Sequence, residues 1–334
     1  MCLYHNTTLS VSLIIPVYNV SSYVERCLQS VFNQTYLPTE CIIVNDGTQD
    51  DSIEKCKNLI DEYKGSISFT VIDHIINRGL SAARNTGTEA ASGDYVFYLD
   101  SDDEISPDCL EKMVKVAVMY PEAEMIVGNY LVIRKNSEDE IGIYDGIPKD
   151  ALSNDSVVSL FLQNQIPPFS WNKLIKRTFI RSNHLNYKEG IIYEDVLWLF
   201  HVVQCLHTVY FVNDVTYHYY KRPGSLSTAH NDYTYGLSYS VIYDDILQHL
   251  QPGKEKVGLN YYVEGLCNCY IKYKNSIPSY RKVMSDYKKL TLQYSCWHAY
   301  LKLNFTTTLS LFPIIGKRVL PALKGIRQTL KKLF

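Results

Sequence analysis

The run from Asn77 to Asp103, NRGLSAARNTGTEAASGDYVFYLDSDD, decides how this chain is read. Leu80 to Ala91 is rich in alanine and reads as a helix, and Tyr95 to Leu99 is a short apolar run with strand character. The strand ends abruptly in Asp100-Ser101-Asp102-Asp103, three carboxylates in four residues. The same alternation extends upstream. Val11 to Pro16 is expected as a buried strand, Ser21 to Gln34 as a helix, and Glu40 to Asn45 as a second strand. Asp50 or Asp51 then caps a helix to about Tyr63, and Ile67 to Asp73 forms a third strand. Downstream, Ser106-Pro107 opens a helix to about Met119, followed by a strand from Met125 to Ile133. Strands and helices alternating at this spacing imply an α/β fold with a doubly wound, mostly parallel, Rossmann-like sheet. Ligands of such sheets sit at the carboxyl ends of the strands.

Composition narrows the function. The 334 residues are 46% hydrophobic and 20% charged, with a formal net charge of −2, which excludes wholesale disorder and a generally basic nucleic-acid binder. That sum conceals an asymmetry: Tyr287 to Phe334 holds nine Lys or Arg and no acidic residue, leaving an acidic body with a basic tail. Nine scattered cysteines form no disulfide framework, and Cys267 with Cys269 lacks zinc-site spacing. MCLYHNTTLS shows no secretory pattern, and no stretch reaches the ~20 apolar residues of a membrane span. The expected location is cytoplasmic, peripheral on the inner face of the membrane.

Polar residues gather where the expected strands end: Pro16-Val17-Tyr18-Asn19, Asn45-Asp46-Gly47-Thr48, Asn77-Arg78-Gly79 and Asp100 to Asp103. One Asp after a strand is most simply a helix cap. Four polar strand ends in one half of a chain point further, to a ligand. Carboxylates as close as Asp100, Asp102 and Asp103 raise one another's pKa unless a cation or donors neutralise them. A hard divalent ion, Mn²⁺ or Mg²⁺, shared with phosphate oxygens suits them. Arg78 and Arg84 could balance part of that charge or face the same phosphates. No dinucleotide glycine fingerprint and no phosphate-binding loop ending in Gly-Lys-Ser/Thr is present, so metal and side chains would hold the phosphates.

VSLIIPVYN, VNDGTQDDS, NRGLSAARNTGTEAASGDYVFYLDSDD and YEDVLW, in that order and spacing, resemble the family 2 glycosyltransferases of the GT-A fold. The likeness is dense over about residues 10 to 130 and looser to about 227. It implies an inverting enzyme that takes a sugar from a nucleotide diphosphate, UDP-linked, to a glycan or lipid-linked acceptor in bacterial surface polysaccharide synthesis. It also implies roles. Pro16, Tyr18 and Asn19 lie against the nucleotide, Asp46 accepts from the uracil imide, and Asn77 and Arg84 line the pocket. Asp100 and Ser101 face the ribose or sugar, and Asp102 holds the metal. Asp103 supports the loop. Asp195 becomes the base that deprotonates the acceptor hydroxyl, with Glu194 supporting it; without the resemblance, two acids at a helix start simply suit its dipole. Trp171 reads equally as a subdomain anchor or an acceptor-stacking face, with Lys173 beside it. Lys221, Arg222 and Ser225 resemble a loop closing over the diphosphate. His218 reads first as a core histidine and only second as a metal ligand. Because Glu194 to Trp198 replaces the Gln-x-x-Arg-Trp of processive polymerases, addition of one sugar or a short run is expected.

Three regions follow: a catalytic domain over 1–230 (donor half about 10–130, acceptor half about 131–230), a helical region over 231–312, and a basic amphipathic tail over 313–334. In the tail Val319, Leu323, Ile326, Leu330 and Leu333 recur at helical spacing with cations mainly off the stripe. Contact with an anionic membrane or docking on the acidic body would both satisfy that pattern. The rival enzymatic reading, a sugar-nucleotide pyrophosphorylase, calls for a glycine-rich basic first loop that Pro16-Val17-Tyr18-Asn19 is not. A catalytically silent scaffold on the same fold is the non-enzymatic alternative.

Overall fold

The structure, a computed structural model, describes residues 9–134, 140–142, 154–162, 166, 168–222, 232–250 and 255–309. Ser225 and the 313–334 tail lie outside the described residues. The chain divides into two compact units, Met1–His230 and Asn231–Phe334.

In the first unit β1 (Val11–Val17), α1 (Val24–Phe32), β2 (Glu40–Asn45), α2 (Ser52–Glu62), β3 (Ser68–Asp73), α3 (Leu80–Ala90) and β4 (Tyr95–Tyr98) alternate. Then come β5 (Glu104–Ile105), α4 (Cys109–Met119), β6 (Met125–Ile133), β7 (Glu140–Gly142), α5 (Asn154–Leu162), β8 (Lys173–Lys176), α6 (Arg177–Ser182), α7 (Glu194–Cys205) and β9 (Val209–Tyr220). Their sheet runs β3-β2-β1-β4-β8-β6-β9-β5, with β7 pairing β6. Strands β3, β2, β1 and β4 are parallel, while β8 is antiparallel to both β4 and β6. The doubly wound reading therefore holds for the first half, and the second half makes the sheet mixed. All seven residues of β1 are buried, as a central strand covered on both faces requires, whereas β3 at the edge is only partly covered. After β3 the chain returns to the other side of β1, and this switch in direction opens a crevice at the carboxyl ends of β1 and β4.

Local chemistry shifts several boundaries. Helix α1 starts at Val24 rather than Ser21, and the Ser21 N–H is bonded to Asp50 Oδ2 at 3.0 Å. Asp51 occupies the cap position of α2, yet Asp50 accepts the Ser52 N–H at 3.0 Å. Helix α4 begins at Cys109, two residues past Pro107. Strand β8, KLIK, carries a lysine at each end, and Asn213-Asp214 interrupts the apolar run of β9, so neither stands out in the sequence as a strand.

That interruption is a bulge: Gly128 faces Val212, but Asn129 faces Val215. Asn172, in left-handed backbone at φ 58°, closes the gap by donating from Nδ2 to the carbonyls of Gly128 and Asn129 at 2.6 and 2.9 Å. Its Oδ1 accepts from the Thr216 hydroxyl at 2.7 Å. Gly128 leaves no room for a side chain, since a Cβ there would sit 2.0 Å from Thr216 Oγ1 and 2.7 Å from Met113 Cε.

In the second unit α8 (Asp232–Gln248), α9 (Glu255–Tyr273), α10 (Ser279–Gln293) and α11 (Trp297–Leu309) bury Tyr243, Leu266, Tyr280, Tyr287 and Leu303. Among the described residues no helix is long and apolar enough to cross a membrane. Gly128→Ala is expected to cost about 1–3 kcal/mol through overpacking of the β6–β8–β9 junction, read as a lower urea midpoint with unchanged slope.

Candidate active site

Helix α3 positions most of the site. Its Arg84 is buried and extends a guanidinium between two carboxylates: Nη2 donates to Asp100 Oδ1 and Nη1 to Glu194 Oε1, each at 2.7 Å. Burial opposes this charge, but Asp100 and Glu194 outweigh it, so the guanidinium is held protonated above its ordinary range. The end of β4 and the start of α7 thus meet on one side chain. The next residue, Asn85, exchanges two hydrogen bonds with the backbone of Tyr187 at 2.9 and 2.8 Å, and Ser81 donates to the Lys188 carbonyl at 2.8 Å. Arg78 pairs with Glu189 at 3.2 Å. Helix α3 therefore clasps the segment that leads into α7, and Tyr193 turns the chain into that helix at a left-handed φ of 62°.

Asp195 follows Glu194 at the head of α7. Burial, with Glu194 close by, pushes its carboxyl up to about 7, against the opposing field of Arg84. A carboxyl titrating there can take a proton near neutral pH. Lys173 is buried and donates to the carbonyls of Phe169 and Trp171. Burial pulls its ammonium down to about 7, opposed by Asp195.

The carboxylates after β4 have separate surroundings. Asp102 Oδ2 accepts from Arg222 Nε at 2.7 Å, and the Arg222 guanidinium lies 4.7 Å from the Tyr23 ring centre. Burial and Asp100 raise the Asp102 carboxyl, and Arg222 opposes the rise. Asp103 is fully buried and accepts from the Tyr217 hydroxyl and the Tyr220 N–H, both at 2.8 Å, which ties β9 to this loop. Ser101 is buried. Asp100 and Asp102 offer only oxygen donors, the kind Mn²⁺ and Mg²⁺ prefer, and each has one oxygen outside its arginine pair. They join no ready-made group of three ligand side chains among the described residues, so a cation here would take its other oxygens from water or a bound phosphate. His218 pairs in register with Glu104, its Nδ1 3.7 Å from that carboxylate.

At the ends of β1 and β2, Pro16 is buried in the strand, while Tyr18 is 41% exposed at the crevice. Asn19, at φ 51°, accepts the Gln49 N–H on Oδ1 at 2.8 Å and donates its own N–H to Thr48 Oγ1 at 2.6 Å. Asp46 accepts from the Arg78 N–H at 2.9 Å and the Gly79 N–H at 2.8 Å. Asn77 is exposed just before those contacts. Gly47, at φ 69°, lies so close under this loop that a Cβ would be 2.6 Å from the Asn77 nitrogen.

Residues 12–152 match the family model described as Glycosyl transferase family 2. EpsH of Bacillus subtilis (strain 168) is 35% identical over 221 residues, covering 64% of this chain and 61% of its own. Glycosyltransferase GlyA of Streptococcus pneumoniae serotype 4 is 35% identical over 233 residues, covering 65% of this chain and 31% of its own. The matched region and these relatives support a family 2 glycosyltransferase. The chain spans less than two thirds of the length of these two relatives, 61% and 31%. Its fold is the GT-A fold: S. aureus TarS 1–349, solved in complex with UDP-GlcNAc, superposes with a TM-score of 0.65 at 15% identity, over 90% of this chain and 92% of that one.

The structure brings Arg84, Asp100, Glu194 and, beside it, Asp195 together, and places Asp102 with Arg222. It removes Trp171 from the candidate acceptor surface. Trp171 is buried, stacked on Phe169 at 4.4 Å and on Tyr217 at 4.3 Å, so the anchor reading applies and no face is open to a sugar. Glu194 is spent on Arg84 rather than turned outward. Lys221 is exposed just before Arg222. Sequence reasoning missed His74, whose ring joins Asp46 and Thr86, and Arg26, which reaches the Asp102 carbonyl at 2.7 Å and pairs with Glu104 at 2.7 Å. No spacing in the sequence points to either contact. Arg84→Met should lower stability by about 3–5 kcal/mol, because it leaves two carboxylates without their cation. Arg84→Lys should recover only part, since an ammonium cannot fork to both; urea titration of the three proteins checks this.

Proposed function

We propose that this chain is an inverting, metal-dependent glycosyltransferase that moves a hexosyl or N-acetylhexosaminyl group from a UDP-linked donor to a hydroxyl of a glycan or lipid-linked acceptor, in bacterial surface polysaccharide synthesis. The observation that carries the reading is the Arg84 bridge. One buried guanidinium ties the Asp100 end of β4, at the sheet's switch point, to the Glu194-Asp195 start of α7. A donor site and a candidate base are thereby built against each other. UDP-GlcNAc and UDP in the complexes of S. aureus TarS support a nucleotide-sugar donor, as does the family match.

In this reading the nucleotide lies in the crevice beside Tyr18 and Asp46, with the diphosphate toward Asp102. Asp100 and Asp102 would hold Mn²⁺ or Mg²⁺, which when bound would neutralise charge on the departing diphosphate. Arg222 adds a cation at the same carboxylate. Asp195 takes the acceptor proton as the hydroxyl attacks the anomeric carbon from the face opposite the leaving group; one bond forms, one breaks, and the configuration inverts. Only the ionised carboxylate can do this, so transfer should rise with pH through about 7, where Asp195 titrates. Asp195→Asn should abolish transfer and its pH dependence while leaving UDP binding intact. The same substitution carries a stability signature. The native pKa is raised above the unfolded value, so ionising Asp195 costs native stability as pH rises. Asp195→Asn should therefore melt higher than wild type at pH 8, with a smaller gap at pH 5. Full transfer by Asp195→Asn sinks the assignment of the base, and failure of wild type to bind or turn over any nucleotide sugar sinks the enzyme reading.

A lipid-linked acceptor places the reaction at a membrane, and the second unit has a suitable surface. On α11, Trp297, Leu301 and Phe305 are 61%, 64% and 49% exposed at four-residue spacing, in a region that carries basic and no acidic residues through the 313–334 tail. Trp171 and Trp198 are buried, so Trp297 should dominate the response of tryptophan emission to added lipid. Vesicles rich in phosphatidylglycerol should shift emission to the blue and neutral vesicles should not; no shift with either rejects membrane contact.

A further inference from the structure

The Asp46 carboxylate does more than end a strand. It is almost wholly enclosed, and an ionised carboxylate presents about four lone-pair positions. Three are filled: Oδ1 takes the Arg78 N–H at 2.9 Å and His74 Nδ1 at 2.7 Å, and Oδ2 takes the Gly79 N–H at 2.8 Å. His74 is itself enclosed, 6% of its side chain being open, and its Nε2 lies 2.9 Å from Thr86 Oγ1 on α3. A carboxylate only accepts, so Nδ1 must carry the hydrogen it donates. In the neutral ring Nε2 then accepts from the Thr86 hydroxyl. Helix α3, His74 and Asp46 form one chain of hydrogen bonds. The loop it fastens runs over Gly47 and leaves Ile75, Ile76 and Asn77 exposed.

We propose that His74 is a positioning residue for the donor's nucleobase: oriented by Thr86, it commits Asp46 Oδ1 to the loop and leaves one lone pair, on Oδ2, to accept an N–H from the base. This rests on the nucleotide-donor reading above. A lone acceptor discriminates by chemistry. Uracil presents a ring N–H at its imide, whereas cytosine presents an unprotonated nitrogen at the same place, and two acceptors facing each other repel. Without His74 the carboxylate loses the contact that fixes its rotation, and both oxygens become available in several orientations.

Calorimetric titration of the full chain with UDP and with CDP, both in Mn²⁺ buffer, tests this. Wild type should prefer UDP by at least ~10-fold, the scale of a hydrogen-bond-based choice between bases. His74→Ala should weaken UDP by ~10-fold, about the worth of one hydrogen bond to a charged group, and leave CDP nearly unchanged, so the preference collapses. His74→Asn, which offers an N–H from a similar place, should keep most of the preference. Should His74→Ala fail to fold, Thr86→Val is read on the same UDP-to-CDP ratio and should shrink it. The proposal is overturned if His74→Ala matches wild type, if it weakens both nucleotides in proportion, or if His74→Asn is as poor as His74→Ala. Wild type binding UDP and CDP equally removes the base contact yet leaves a nucleotide-binding site standing; binding neither removes the donor reading itself.

Discussion

The Arg84 guanidinium between Asp100 and Glu194 is the constraint on which the first unit depends. Glu194 is nearly closed to water and Asp100 only partly open, so each would be costly to keep ionised alone. A planar fork can satisfy both at once, and a lysine could not. Because the two carboxylates lie far apart in sequence, one on the strand side and one on the helix side, the bridge also sets the distance between the two halves of the site. The clasp of Ser81 and Asn85 on the segment before α7 repeats the same function with backbone partners.

Around this bridge the acidic residues divide their work by environment. Asp103 is enclosed and bound by Tyr217 and Tyr220, so it holds β9 to the loop. Asp102 keeps part of its surface open and is balanced by Arg222. Asp195 is only partly open to water and lies beside Glu194, and its carboxyl is pushed up toward neutrality. Three carboxylates of one residue type thus acquire three dispositions from desolvation and partners alone. At the ends of β1 and β2, Asn19, Thr48 and Asp46 are bound by hydrogen bonds into the loops they terminate.

The legible part of this architecture was local. Helix α3 and strand β4 follow directly from alanine-rich and apolar runs, and the ends of the strands advertise themselves by polarity. Less legible were features that exist only between distant residues. Strand β8 is four residues with a lysine at each end, stabilised as a strand by β4 and β6 on its flanks. Asn172, between Trp171 and Lys173, seals the bulge between β6 and β9 through partners distant in sequence. His74 carried no signal, since a histidine before a loop has many bland uses. Trp171 was balanced between anchor and sugar platform, and only the rings of Phe169 and Tyr217 on its faces decide for the anchor.

By itself the sequence determined the α/β class, the order of the first strands and helices, the four polar strand ends and the charge division between body and tail. These follow from periodicity and from residue chemistry within a few positions, where the chain is its own context. Tertiary structure alone decided which carboxylate is paired, which is pushed toward neutrality and which is fastened to a neighbouring strand. Burial and the approach of opposite charge set those states, and both arise only when segments about a hundred residues apart, such as Arg84 and Glu194, are brought within 2.7 Å.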